Sequence, residues 1–222
     1  MSLAVTHLSG FGGYTASSSG PAAIAFAASA VSSTNATSYT FTAHSIGTAS
    51  SDRYVAVAVV VLATTITSLT VGGASTTQLV LRNTGSKYTA VYITDAPVTS
   101  GTTADVVVNC AGTAGCCGIG TYAITGLVST TPVHTATTAT DNSGQSLNTT
   151  ADGVAIGVAS TDDEPQTWTW TNITEAYDQT VDAGARVVHS GAAINTASTT
   201  TITVTADVTG VGGVAIAYVS LR

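Results

Sequence analysis

From Ser38 to the C-terminus the chain is a succession of short apolar stretches, each closed within a few residues by Gly, Ser, Asn, Asp or Pro. Arg53–Leu62 is the clearest of them. Tyr54, Ala56 and Ala58 alternate with Val55, Val57 and Val59, so an extended backbone sends the two sets to opposite faces of a sheet. The end of this stretch, Val59-Val60-Val61-Leu62, is apolar on both faces, which predicts a strand at the centre of its sheet. Comparable stretches fall at Ser38–Ala43, Ile66–Val71, Gln78–Arg82, Tyr88–Thr94, Ala104–Cys110 and Cys117–Thr125. Many short strands at this spacing are the pattern of a sandwich or barrel.

Residue usage points the same way. Thr and Val are stiff at χ1 and suit a pleated surface, whereas Lys, Glu, Gln and Arg, which support surface helices, are scarce; Lys87 is the only lysine. Charged residues make up 8% of the chain, against about 25% in ordinary domains. With 44% hydrophobic residues the chain lies far from the high charge and low hydrophobicity that keep polypeptides disordered. Its 222 residues can bury a core as one large domain or two smaller ones without a disulfide or metal staple.

The same numbers exclude some partners. Twelve carboxylates against five scattered basic residues (Arg53, Arg82, Lys87, Arg186, Arg222) give a net charge of −7, which argues against nucleic acid. The longest apolar runs, Pro21–Val31 and Val55–Ala63, fall short of the roughly 20 residues a membrane helix needs, so no membrane partner is expected. No Lys or Arg precedes the first of these runs, and a secretory signal is not expected either.

The chain also resembles itself. At an offset of 96 residues Val91 meets Val187, Val98 meets Ile194, Val106 and Val108 meet Ile202 and Val204, and Tyr122 meets Tyr218. At an offset of 99, Val55-Ala56-Val57-Ala58-Val59 meets Val154-Ala155-Ile156-Gly157-Val158. This predicts an all-β protein of two tandem homologous β-sandwich units, immunoglobulin-like or jelly-roll-like, at 37–130 and 131–222, with the break at Ser129-Thr130-Thr131-Pro132. The competing architecture is a single sandwich with strands from both halves interleaved. Residues 1–36, with Gly10, Gly12, Gly13, the run Ser17–Pro21 and an Ala-rich stretch, read as an extended N-terminal arm over a neighbouring subunit or as a flexible terminus.

Residues that could carry chemistry are sparse. His7, His44, His134 and His189 show no metal-binding spacing, no GxSxG elbow marks a nucleophile, and no phosphate-binding loop occurs, so neither catalysis nor a cofactor is expected. Cys110, Cys116 and Cys117 read as small buried hydrophobes; a bridge from Cys110 to one of the pair is the alternative, with a zinc site behind it. Asp162-Asp163-Glu164-Pro165 is a solvated turn or, less simply, a set of hard oxygen ligands for calcium. In Thr167-Trp168-Thr169-Trp170-Thr171 alternation sends both indoles to one face. They form a core ridge, an intersubunit contact, or a platform on which sugar rings stack, which Tyr177 would extend.

The segments Ser51–Val57, Ile66–Ala74, Gly118–Leu127 and Trp168–Thr171 together resemble β-rich virion proteins of tailed phages. The resemblance spans most of residues 50–222 and lies in strands and turns, bringing no catalytic residue. It implies a place on the particle surface as a capsid decoration or cement protein, contacting the major capsid protein or neighbouring subunits as a homo-oligomer. The alternative it leaves is a tail or fibre module that binds a surface glycan or receptor.

Overall fold

The computed structural model describes residues 20–162, 167–182, 187–208 and 213–222. These residues form sixteen strands and no helix. The first eight are β1 (Ala23–Ser32), β2 (Ala36–Ser45), β3 (Tyr54–Leu62), β4 (Ile66–Val71), β5 (Ala74–Asn83), β6 (Lys87–Thr94), β7 (Thr103–Ala114) and β8 (Cys117–Thr125). The second eight are β9 (His134–Thr138), β10 (Gln145–Thr149), β11 (Gly153–Thr161), β12 (Trp168–Thr171), β13 (Thr174–Asp182), β14 (Val187–Thr196), β15 (Thr200–Val208) and β16 (Val214–Leu221). The protein is all-β, and its strand pairs are antiparallel.

The first eight strands make one sheet in the order β1-β8-β3-β6-β5-β4-β7-β2. It folds over at β4 and β5. Gly72 and Gly73, both at positive φ (58° and 82°), make the tight turn between them. Only Thr70–Ser75 and Val71–Ala74 pair there before β5 leaves β4 and joins β6. The three strands β4-β7-β2 thus lie over the five strands β1-β8-β3-β6-β5. Val55, Val57, Val59 and Val61 of β3 pack there with Tyr88, Ala90 and Tyr92, beneath Tyr39, Leu69, Val71, Val106 and Val108.

The second eight strands form a five-stranded sheet, β13-β14-β11-β16-β9, and a three-stranded sheet, β10-β15-β12. Between them lie Ala155, Ala159, Ile216 and Tyr218 on one side and Leu147, Trp168, Val204, Ala206 and Val208 on the other. Position for position, this order repeats the first set eight strands later. No strand of one set is hydrogen-bonded into a sheet of the other among the described residues, so the strands are not interleaved.

The two five-stranded sheets then pack back to back. Ala56, Ala58, Val91, Ile93, Tyr122 and Ile124 meet Val154, Ile156, Val158, Ala217, Val219 and Leu221. Strand β1 lies against β13, and β5 against β9, so one pair of positions is used twice, as in a dimer with a two-fold axis. The result is four layers, and both faces of each five-stranded sheet are buried. That is why β3, β6, β8, β11 and β16 are buried nearly throughout.

Two expectations change. Of the proposed arm, residues 1–19 lie outside the described residues, while Ala23–Ser32 is the edge strand β1, paired along β8, because a ladder uses backbone groups that an Ala-rich stretch without clear alternation also supplies. The residue offsets of 96 and 99 match faces only in part: Val106 and Val108 line the first core as Ile202 and Val204 line the second, but other matches do not hold. Val55 faces the first sandwich core and Val154 the seam between sheets, whereas Tyr122 faces the seam and Tyr218 the second core. A slip of one residue reverses the face of a strand. A shared bulge gives the structural match: Leu79 is skipped between Gln78–Tyr92 and Val80–Val91, and Ala176 between Glu175–Ala192 and Tyr177–Gly191.

Candidate interaction surfaces

Strand β12 carries the two tryptophans and pairs with β15. Both indoles share a face, as alternation requires, and that face is the interior. Trp168 is 1% exposed. Trp170 meets the ring of Tyr218 edge-on with centroids 6.0 Å apart and donates from Nε1 to Ser190 Oγ at 2.8 Å. Gly157 makes room for it, since a Cβ there would lie 2.5 Å from Trp170 Cζ3. Tyr177 does not extend this pair: it is buried on β13, in the seam between the five-stranded sheets. Trp168, Trp170 and Tyr177 therefore form no exposed platform.

The seam holds a set of polar contacts between the halves. Lys87 Nζ donates to Asp162 Oδ2 at 2.6 Å, and the Thr89 and Ser160 hydroxyls meet at 2.7 Å. Burial raises the Asp162 carboxyl, but the hydrogen bond and charge of Lys87 outweigh it and hold the group below the usual carboxylate range. Deeper in, Tyr177 Oη and His189 Nε2 are 2.9 Å apart, both sealed from solvent. Burial pushes the imidazole down to about 3, so it is neutral, and it raises the Tyr177 phenol. Among the described residues His189 Nδ1 and Tyr122 Oη have no hydrogen-bond partner. The neutral imidazole and the protonated phenol are part of the packing between the two five-stranded sheets.

Other residues singled out in the sequence lie apart. Asp162 is committed to Lys87, and Asp163, Glu164 and Pro165 are outside the described residues. His44 contacts Thr121 Oγ1 at 3.1 Å, and His134 Nδ1 accepts from Asn148 N at 3.4 Å; His7 is outside the described residues. Cys116 and Cys117 are buried and Cys110 half-buried, all as free thiols, with burial pushing the Cys116 thiol up to about 12. Among the described residues no three of His, Cys, Asp or Glu gather as metal ligands would.

The two outer sheet faces present mainly hydroxyl and amide side chains. On the outer face of β10-β15-β12, Thr201, Thr203, Thr205 and Asp207 form a row, flanked across the ladder by Asn148 and Ser146 on one side and by Thr171 and Thr169 on the other. On the outer face of β4-β7-β2, Ser38 Oγ donates to Asn109 Oδ1 at 2.7 Å, and Asn109 Nδ2 donates to Ser68 Oγ at 2.9 Å. Thr40, Val107 and Thr70 form the next rank.

No family model, curated protein or solved structure matches this chain. Its surfaces therefore have to be read from their own chemistry. The polar seam was not legible in the sequence, although one signal was present: Gly118, Gly120 and Gly191 sit inside strands, where glycine marks a close approach. A Cβ at Gly120 would lie 2.3 Å from Tyr177 Oη, at Gly191 2.6 Å from Tyr122 Oη, and at Gly118 2.8 Å from His189 Nδ1.

Proposed function

We propose that this chain is a non-enzymatic structural protein of a tailed-phage particle, a capsid decoration or cement protein that works through its outer sheet faces. One observation carries the reading: the layers end in two outward, nearly uncharged hydroxyl and amide sheets, with Asp105 and Asp207 as the only charges in their central rows. Short Thr, Ser and Asn side chains lose little rotamer freedom on contact, so such a face docks at low ordering cost. Many copies on one particle add avidity, and modest contacts per copy suffice. Rigidity comes from burying both faces of each central sheet, with no cofactor needed.

Mass spectrometry of purified particles, followed by electron microscopy of the particle surface, tests the proposal. The chain is expected in stoichiometric amounts as a regular outer layer. Its absence from intact particles overturns the reading. The tail or fibre alternative predicts density at the tail. Because β1 belongs to the folded body, any role of the N-terminus is tested by deleting residues 2–19, leaving 20–36 in place.

A further inference from the structure

The two halves finish their sandwiches differently at one end. In the first, the connection from β6 to β7 lays Val98 on the core, and the Arg53 side chain holds that connection through Val98 O, Ser100 O and Gly101 O. In the second, the matching connection from β14 to β15 is Ala197-Ser198-Thr199, with no side chain large enough to cover what lies beneath it. A cleft of about 420 Å³ opens there. Its floor is Ile194 and Ile202, which pack on the second core and are only half-buried.

What the cleft offers a ligand is mainly apolar. The Thr149 hydroxyl lies 3.2 Å from both Ser198 O and Thr200 O, and Thr196 Oγ1 donates to Thr150 O at 2.6 Å, so both donors are spent inside the fold. Among the described residues no ionisable side chain lines the opening. A charged group would therefore lose hydration there with nothing to replace it. An apolar group gains by covering the two isoleucines, at about 25 cal/mol per Å² removed from water.

Strand β1 enters the fold beside this cleft. Ala22 N donates to Asp152 O at 2.9 Å, in the connection from β10 to β11, and Ile24 N donates to Asn195 Oδ1 at 2.8 Å, near the end of β14. Gly153 pairs with Thr196, so this is the end of the sheet at which the cleft opens. Residues 1–19 contain no Asp, Glu, Lys or Arg, and they include Leu8, Phe11 and Tyr14, interspersed with Gly10, Gly12 and Gly13. The stretch from Tyr14 to Gly20 reaches about 20 Å when extended, twice the roughly 10 Å between stacked sheets. We propose that the cleft is a docking site for residues 8–14 of the same chain, with Phe11 covering Ile194 and Ile202. A tether this short gives the segment an effective concentration on the order of millimolar, far above that of a second copy in dilute solution. The inference rests on the fold and not on the particle reading.

A chain lacking residues 2–19, titrated with a fluorescently labelled synthetic peptide of residues 2–19 and followed by anisotropy, tests it. The peptide is expected to bind the shortened chain saturably, and to bind the full chain at least about tenfold more weakly because the tethered segment competes. Ser198→Trp in the shortened chain, at an exposed rim position, should abolish binding, and thermal melting checks that both shortened chains are folded. In the full chain Phe11→Ser should speed amide exchange at residues 196–200, a readout that needs no deletion. The inference is overturned if the peptide does not bind the shortened chain, binds both chains equally, or still binds after Ser198→Trp, or if Phe11→Ser leaves exchange unchanged. It is overturned as well if protection at residues 196–200 rises with protein concentration, which would assign the docked segment to a second copy.

Discussion

The ammonium of Lys87 on β6 and the carboxylate of Asp162 at the end of β11 meet at 2.6 Å across the seam that joins the two halves. The lysine side chain is 2% exposed and the aspartate 43%, so the pair is asymmetric: one charge is buried and the other reaches water. Removing the partner that water can replace still strands the one it cannot. Asp162→Ala is therefore expected to cost about 2 kcal/mol in urea unfolding, discounted from the fully buried case for the exposure of Asp162. Lys87→Met combined with Asp162→Ala should recover most of that loss, and an additive double variant would show that the pair is not coupled.

Arg53 makes a second buried charge without a carboxylate. Its side chain donates from Nε to Val98 O at 3.0 Å, from Nη1 to Gly47 O at 2.7 Å and Gly101 O at 3.0 Å, and from Nη2 to Ser100 O at 2.9 Å. One planar fork thus ties the β2–β3 and β6–β7 connections together. Arg53→Lys keeps the charge but cannot reproduce the fork, leaving buried carbonyls unpaired. A loss of about 2–4 kcal/mol is expected, with faster amide exchange around residues 98–101; wild-type exchange there would contradict the clamp.

Much of the architecture was legible because it is written in period two. The alternation in Arg53–Leu62 and its doubly apolar end correctly placed β3 at the middle of a sheet, since a strand covered on both faces has no polar side to show. The residue matches raised the expectation of a repeat, but they left its register undetermined. In a sequence of Thr, Val and Ala a slip of one residue leaves the composition of a match unchanged while turning Val154 and Tyr218 to the wrong faces. The tryptophans were ambiguous for a related reason: alternation fixes that Trp168 and Trp170 share a face, and only the partner sheet decides that the face is inside. That β12 and β13 do not pair as β4 and β5 do is announced by no local pattern.

Trp168 gives a direct check on that decision. It is wedged among Val208, Ala206 and Val214 at 1% exposure, and its backbone N–H donates to Asp178 Oδ2 at 2.8 Å. Trp168→Ala is expected to lower stability by about 3–5 kcal/mol, as for other large core truncations. Guanidinium unfolding measures it; a loss under about 1 kcal/mol would mean that the indole is not in the core.

Glycine at 120 is a condition for the seam. Its absent Cβ is replaced by the Tyr177 ring, with Cε1 and Oη both 2.3 Å from where that carbon would sit. Neither strand yields easily, because β8 is paired on both sides and Tyr177 is buried among the seam residues. Gly120→Ala should destabilise the protein by about 3 kcal/mol, the upper end of overpacking costs, and adding Tyr177→Ala should relieve part of it. If Gly120→Ala melts like the wild type, the two sheets do not pack as described.

His189 links the same seam to pH. Burial holds its imidazole at about 3 in the folded protein, against about 6.5 in the unfolded chain. Between these values the unfolded state binds the extra proton and the folded state does not, so stability falls as pH drops from about 6.5 toward 3 and is fully present above that window. The slope from this one group approaches about 1.4 kcal/mol per pH unit in mid-window. Carboxylates of the unfolded chain titrate in the same range, so the quantity to measure is the difference between wild type and His189→Gln at each pH. That difference should shrink steadily as the pH is lowered, because the variant has no imidazole to protonate on unfolding. A difference that stays constant from pH about 7 to 4 would place His189 where water reaches it, and would remove it from the seam.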